Sequence, residues 1–551
     1  MIGDSRLGLP RHRVMSLSPS QRPLACRIKP LPSRARLLKT INVSLDARNT
    51  SFLLAVEFAP KPKNLHIRNV QILHRQQVQR TIRIYARSVL TGLAVLGILL
   101  SPPPAPARQA PAASLMVIAP KQFHADLADF IKHKNHQLPT RLVALEKILK
   151  DTPGVDDPAR VKQFLYNAWR KNGVRYALLV GDADVFPVRY MVLDRVTPPA
   201  FDYAFYPSDL YYGDVARADG SFDDWNGQKE GVHATYFGEV RGEKNKGDPI
   251  NFDSIHYKPE IAVGRWPVST VKEVRMMAAK SILHESQTLS QPSAPLPKVA
   301  WFGVGGWVDS RPLLEKLAKS LEGRWQSEKR YYKDQHDYGT PAPDHRELLN
   351  ILNNDPGVGL ICHTGHGQDL AWEQCLSVGH IPRMTNINHT PVMVSIGCST
   401  ARFATLPPYE PYVDVNGNSH EGSDHKEVFT SPPPPPACYQ SGRYNPPGLG
   451  EQLLRNGKSG AIAYIGCNTG SQPCALSLLE GFIGALSHQQ HPRLGDCWNE
   501  AISFYYDNEH LATLKPDAEW YPPSIFFQGM KFMMFGDPTL PMASTLTPSK
   551  K

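Results

Sequence analysis

Gly359-Leu-Ile-Cys-His-Thr-Gly-His-Gly367 and Pro391-Val-Met-Val-Ser-Ile-Gly-Cys398 decide how this chain folds. Each is a short apolar run, of the length of a buried strand, that halts at a glycine and then presents one reactive side chain, His366 or Cys398. Apolar runs without alternation belong to strands covered on both faces, which is the condition of a parallel sheet. The 32 residues from His366 to Cys398 leave room for one crossover, so the second run is expected beside the first and parallel to it. Ligands of open parallel sheets bind beyond the carboxyl ends of the strands, and His366 and Cys398 are therefore expected to meet at one edge. The glycines around them let the backbone turn tightly and keep both side chains accessible.

The rest of residues 114–545 repeats the same cycle of apolar runs and amphipathic stretches. Strands are expected at Leu115–Ala119, Tyr176–Val180, Glu260–Val263, Val299–Val304 and Ala461–Ile465. Helices are expected over Ala125–Leu149, with a break near Pro139, and over Pro158–Lys171, Thr270–His284, Pro312–Leu321, Glu347–Leu352 and Gly450–Arg455, with further helices to about Phe535. The fold class read from this is α/β: two side-by-side subdomains, 114–287 and 297–545, with mainly parallel central sheets and flanking helices. The linker is Gln291-Pro-Ser-Ala-Pro-Leu-Pro297. Residues 405–447, with the run Pro432–Pro436, form an insertion just after Cys398, expected as a loop that gates the cleft or merely decorates it.

Charge divides the 551 residues unevenly. Residues 1–113 carry 18 Lys and Arg against Asp4, Asp46 and Glu57, a net of +15, whereas the remainder nets −5. A nucleic-acid-binding surface is therefore not expected, despite the formal +10. Residues 1–78 read as a basic, unstructured or never-translated leader. Within 79–113, the uncharged run Val89–Leu100 follows Arg80, Arg83 and Arg87 and precedes a Pro-rich exit, the layout of a signal peptide or signal anchor. At twelve residues the run is short for a bilayer span. The mature protein is expected outside the cytoplasm, secreted or in the cell envelope, and off the membrane unless residues 89–100 stay as an anchor. It would hold seven cysteines, an odd number, with Cys467 and Cys474 near enough in sequence to bridge.

A thiol beside an imidazole is the minimum for nucleophilic attack on a carbonyl, with Cys398 as nucleophile and His366 managing protons. The backbone N–H groups of Gly367 and Cys398 are candidates to hold the developing oxyanion. A small buried Cys398 and an ordinary loop His366 are the plainer reading. Cys362 and His363 alternate within their strand, so burial is expected for Cys362, and Cys375 is expected to be structural. His363, His366, His380 and His389 raise zinc as a minor alternative, without the carboxylate and helical spacing of familiar zinc sites. Trp372, closing the first block, is a candidate substrate contact.

Cys362-His-Thr-Gly-His-Gly-Gln-Asp-Leu-Ala-Trp372 followed by Pro391–Cys398 resembles the catalytic region of the gingipain family of caspase-like cysteine peptidases. Leu115–Pro120, Tyr176–Asp182, Ser208–Gly213, Pro259–Arg265, Gly460–Ile465 and Phe535–Pro541 resemble the family's other blocks in order. The resemblance implies caspase-like subdomains, His366 as general acid/base, Cys398 as nucleophile and Glu260 as the acid that orients the histidine. It makes Glu273 the nearest equivalent of the acid in a basic specificity pocket. Related enzymes carry calcium; Asp219, Asp223 and Asp224 could supply a structural calcium loop, although an ordinary turn fits the spacing equally well. No cofactor is required for the chemistry. No long propeptide precedes the first strand and no further domain follows Phe535-Gly-Asp-Pro538 in this reading. The expected function is an exported cysteine endopeptidase acting on polypeptides. The alternatives are a sortase-like transpeptidase using the same dyad and a noncatalytic surface-binding protein on the same fold.

Overall fold

Leu115-Met-Val-Ile-Ala119 and Val299-Ala-Trp-Phe-Gly303 are buried throughout, as strands covered on both faces must be. The computed structural model describes residues 114–194, 203–225, 255–289, 296–334, 337–354, 357–387, 389–431, 433–441, 444–515 and 522–542. The leader and apolar run expected over residues 1–113 lie outside the described residues, as does most of the linker. Among the described residues no helix is long and apolar enough to cross a membrane.

Ten strands make one sheet: β1 (Ser114–Ala119), β2 (Thr140–Ala144), β3 (Val174–Val180), β4 (Ala262–Trp266), β5 (Lys298–Gly303), β6 (Gln326–Tyr331), β7 (Leu360–Thr364), β8 (Val392–Ser395), β9 (Ala463–Cys467) and β10 (Phe532–Phe535). Their order is β2-β1-β3-β4-β10-β9-β8-β7-β5-β6. The first four pair in parallel, and so do β9, β8, β7, β5 and β6. The strands expected in two central sheets form one continuous sheet. β10 runs antiparallel to β9 and meets β4 at the single pair Phe535–Arg265, where Gly536, at φ 138°, turns the chain.

Helices cover the sheet. Helix α1 (His124–Asn135) follows β1, and α2 (Asp157–Asn172) precedes β3. The carboxylate of Asp156 caps α2 by accepting from Ala159 N at 2.9 Å, and Gly173, at φ 66°, closes it. Helix α3 (Val271–Leu289) returns from the carboxyl end of β4 to the amino ends of the other block. There Lys280 Nζ donates to the carbonyls of Leu454, Ser459 and Ala461, and His284 faces Thr390 Oγ1 at 3.4 Å. β10 is parallel to β4 and antiparallel to β9, so the two blocks run in opposite directions and their carboxyl ends lie at opposite edges. Lys134 of α1 lies between Glu285 of α3 and Asp537, at 2.9 Å from the latter, binding both helices to the turn after β10.

Three strands of this sheet escape the sequence pattern. β2 follows the Pro139 break inside a stretch that reads as one helix. β6, Gln-Ser-Glu-Lys-Arg-Tyr, is a half-exposed edge strand whose charges blunt further pairing. β10, Phe-Met-Met-Phe, carries apolar residues that fit a helix as well as a strand. The insertion after Cys398 is no loose decoration. Phe205 N donates to Pro407 O, Val188 N to Cys438 O and Gln440 N to Ala183 O, each within 2.9 Å, fastening it to the loop after β3 and to the hairpin of Tyr190–Asp194 with Tyr203–Pro207.

Candidate active site

β7 and β8 are hydrogen-bonded neighbours in the register Cys362–Val394 and His363–Ser395. Extending that register past the strand ends brings Gly365-His366-Gly367 alongside Gly397-Cys398. The contact is tight: a Cβ on Gly397 would lie 3.0 Å from Gly367 Cα and N, and one on Gly367 would lie 2.5 Å from Thr400 Cγ2 and 2.7 Å from Cys398 O. Only glycine lets these two backbones touch. Gly365 sits at φ 146° and Ser399 at φ 56°, so strained backbone flanks both reactive residues.

His366 and Cys398 line one cavity, with Gly305, Trp307 and Val308 after β5 and Ser471, Pro473 and Leu476 after β9. Cys398 Sγ accepts from Ser471 N at 3.2 Å and lies 3.5 Å from Ser471 O. The His366 ring meets Trp307 edge-on at 5.8 Å, and the indole is 68% exposed. All seven described cysteines are free thiols, so Cys467 and Cys474 form no bridge. Burial pushes Cys474 up to about 11, Cys438 and Cys467 up to about 12, and Cys362, Cys375 and Cys497 further still.

Below the cavity lies a polar layer that sequence reasoning missed. His363 Nδ1 is 2.9 Å from Ser395 Oγ, which also accepts from Gly397 N at 3.2 Å. Burial lowers His363 to about 3, so the ring is neutral. Trp372 stacks on His363 with centroids 4.4 Å apart and donates from Nε1 to Tyr464 Oη at 2.8 Å. The pairing of His363 with Ser395 could have been found from their matching places, each three residues before a reactive side chain.

The chain belongs to peptidase family C25. The family model, described as Peptidase family C25, matches residues 108–543. Gingipain R2 of Porphyromonas gingivalis (strain ATCC BAA-308 / W83) is 21% identical over 301 residues, covering 52% of this chain and 32% of that protein. Gingipain R1 of Porphyromonas gingivalis is 21% identical over 306 residues, covering 53% of this chain and 24% of that protein. The chain thus spans a third or less of the length of these curated relatives. A crystal structure of the Arg-specific cysteine proteinase gingipain R aligns with 16% identity and a TM-score of 0.49, covering 80% of each chain.

Four expectations for this C25 chain need correction. Glu260 does not reach His366. It precedes β4, which stands three strands from β8 and four from β7, on the order of 14 and 19 Å at the usual spacing. Its carboxylate instead accepts from Val215 N and Ala216 N at 2.9 and 3.1 Å and faces His256 at 3.4 Å. Nor does it pair with Arg265, whose buried guanidinium holds Asp209 through two contacts of 2.7 Å. Glu273 folds back over the first turn of α3, accepting from Ser269 N and Thr270 N at 2.9 and 3.0 Å, so it caps a helix and is not among the residues lining the cavity at Cys398. Trp372 is fully buried and offers no face to substrate.

Asp219, Asp223 and Asp224 do not converge as a calcium loop. Asp219 accepts from Ser221 N and Oγ, Asp223 from Trp225 N, and Arg217 lies about 4 Å from Asp223 and Asp224. These are the bonds of a turn. Among the described residues, the ligand atoms that gather within 4.8 Å belong to Asp214, His256 and Glu260. Within that cluster the hydrogen bond to Glu260 raises His256 to about 9, while burial raises Asp214 well above the usual carboxylate range and lowers the neighbouring Lys162 to about 7.

Proposed function

We propose that this chain is an exported cysteine endopeptidase that hydrolyses peptide bonds through Cys398 and His366. The carrying observation is that the two side chains line one cavity at the ends of adjacent parallel strands, with the backbones that bear them in contact. Cys398 gives its proton to His366 and attacks the peptide carbonyl carbon. The N–H groups of Gly367 and Cys398 face the oxyanion that develops. Collapse of the tetrahedral species breaks the C–N bond as His366 returns the proton to the leaving amine. Water, deprotonated by the same imidazole, then releases the carboxylic acid and the thiol.

Among the described residues no side chain hydrogen-bonds the His366 ring, which favours a dyad over a triad. Export rests on the signal-like segment 79–113, and its check is the N-terminal sequence of protein from the native cell, expected near Ala107–Ser114. Catalysis is tested by a peptide-library digest with the wild type and Cys398→Ala. Cleavage by the wild type alone supports the proposal, and equal cleavage by both removes the dyad. Acyl transfer to an added amine in place of hydrolysis would make the enzyme a transpeptidase.

A further inference from the structure

With Glu273 spent on a helix cap, the cavity beside Cys398 has a different chemistry from a basic specificity pocket. Among the described residues that line it, none carries a carboxylate. Ile396, 7% exposed, sits between the two reactive loops, while Val308 and Leu476 approach from opposite sides, one after β5 and one after β9. Pro473 adds a rigid apolar wall that rotates nothing out of the way. Trp307 leaves most of its indole in water next to His366, apolar surface that a bound side chain would cover.

The acid adjacent in sequence to this wall, Asp309, is unavailable to a substrate cation. Its Oδ1 accepts from Arg311 N and Nε and from Tyr332 Oη at 2.8–3.1 Å, and its Oδ2 accepts from Arg311 at 2.8 Å. The Arg311 guanidinium holds that carboxyl well below the usual range, so Asp309 is ionised and already neutralised. An arginine or lysine side chain entering the cavity would shed water and find no counter-charge, which disfavours binding strongly. An unbranched or γ-branched apolar side chain would lose nothing on entry and would bury Ile396, Leu476 and the Trp307 face.

We infer that the residue preceding the scissile bond is apolar, of the leucine or methionine class, and that Val308, Ile396 and Leu476 select it. This rests on the dyad reading above and refines its substrate class. The test is a series of fluorogenic peptides identical except for Leu, Met, Ala, Arg, Lys or Glu at that position, assayed with wild type, Cys398→Ala and Val308→Asp. Val308 is 43% exposed, so the aspartate is tolerated by the fold, which a thermal melt verifies. Expected is a kcat/KM for Leu or Met at least tenfold above Arg and Lys, with Val308→Asp shifting the Leu-to-Arg ratio at least tenfold toward Arg. Cleavage after Arg or Lys that equals or exceeds Leu, and that Cys398→Ala abolishes, overturns this inference while leaving the dyad intact. A wild type that cleaves none of the peptides overturns both.

Discussion

The imidazole of His363 and the hydroxyl of Ser395 are joined at 2.9 Å across β7 and β8, one layer beneath the reactive pair. Ser395 Oγ also holds Gly397 N, so one serine links the strand that bears His366 to the turn that bears Cys398. Ser395→Ala leaves a buried ring nitrogen and a buried N–H without partners. A loss of about 1–3 kcal/mol in urea unfolding is expected, with kcat falling more than KM changes. Unaltered kcat in a destabilised variant would reduce Ser395 to a packing residue.

Thiol chemistry should single out one of the seven described cysteines. Six have their thiols pushed up by burial, whereas Cys398 lines the open cavity. Iodoacetamide at pH 7, followed by peptide mass mapping, is expected to label Cys398 at least tenfold faster than any other. Equal or faster labelling of Cys438 or Cys474, the other half-buried thiols, would contradict that order.

Removing Glu260 or Glu273 should be felt as stability and not as specificity. Glu260→Gln is expected to keep kcat/KM within about threefold while lowering the melting temperature, since the carboxylate anchors the Val215–Ala216 turn. Glu273→Ala is expected to cost about 1 kcal/mol, as loss of a helix cap does, with the side-chain preference unchanged. A hundredfold drop in kcat with a displaced pH profile for Glu260→Gln would restore it as the orienting acid.

Acid should weaken the fold through His363. Its folded-state value of about 3 lies below the ordinary 6.5, so the unfolded chain takes up a proton that the folded protein refuses. The stability present above pH 6.5 is therefore lost as the pH falls toward 3, at up to roughly 1.4 kcal/mol per unit. Urea unfolding at pH 7 and pH 5 should show His363→Asn losing about 2 kcal/mol less than wild type over that interval. Identical slopes would mean that another group carries the acid sensitivity.

Much of this architecture could be read from residue order because buried parallel strands announce themselves. Leu115–Ala119, Val299–Phe302 and Leu360–Cys362 are apolar without interruption, and glycines follow within a few residues of the last two. β2 and β6 escaped because edge strands satisfy a sheet through backbone pairing alone and need no apolar signature. At the site, His366 and Cys398 were legible because each follows a strand that must be parallel to its neighbour. Glu260 and Glu273 were misplaced for the opposite reason: their motif positions say nothing about which donors lie within reach once the chain folds. The partnership of His363 with Ser395 was missed because the two are 32 residues apart, and only the register of β7 on β8 joins them.

The insertion after Cys398 has a consequence for a cut chain. Its hydrogen bonds from Pro407, Cys438 and Gln440 run to Phe205, Val188 and Ala183, in the hairpin and loop that follow β3, while Val415 and Val428 stand 44% and 74% exposed. A protease that opens the backbone near Val428 would leave each severed end fastened by its own bonds, and the strands already woven into one sheet. Two fragments should then travel as a single species on size exclusion and separate only in denaturant, so a two-band gel would record scission and not dissociation.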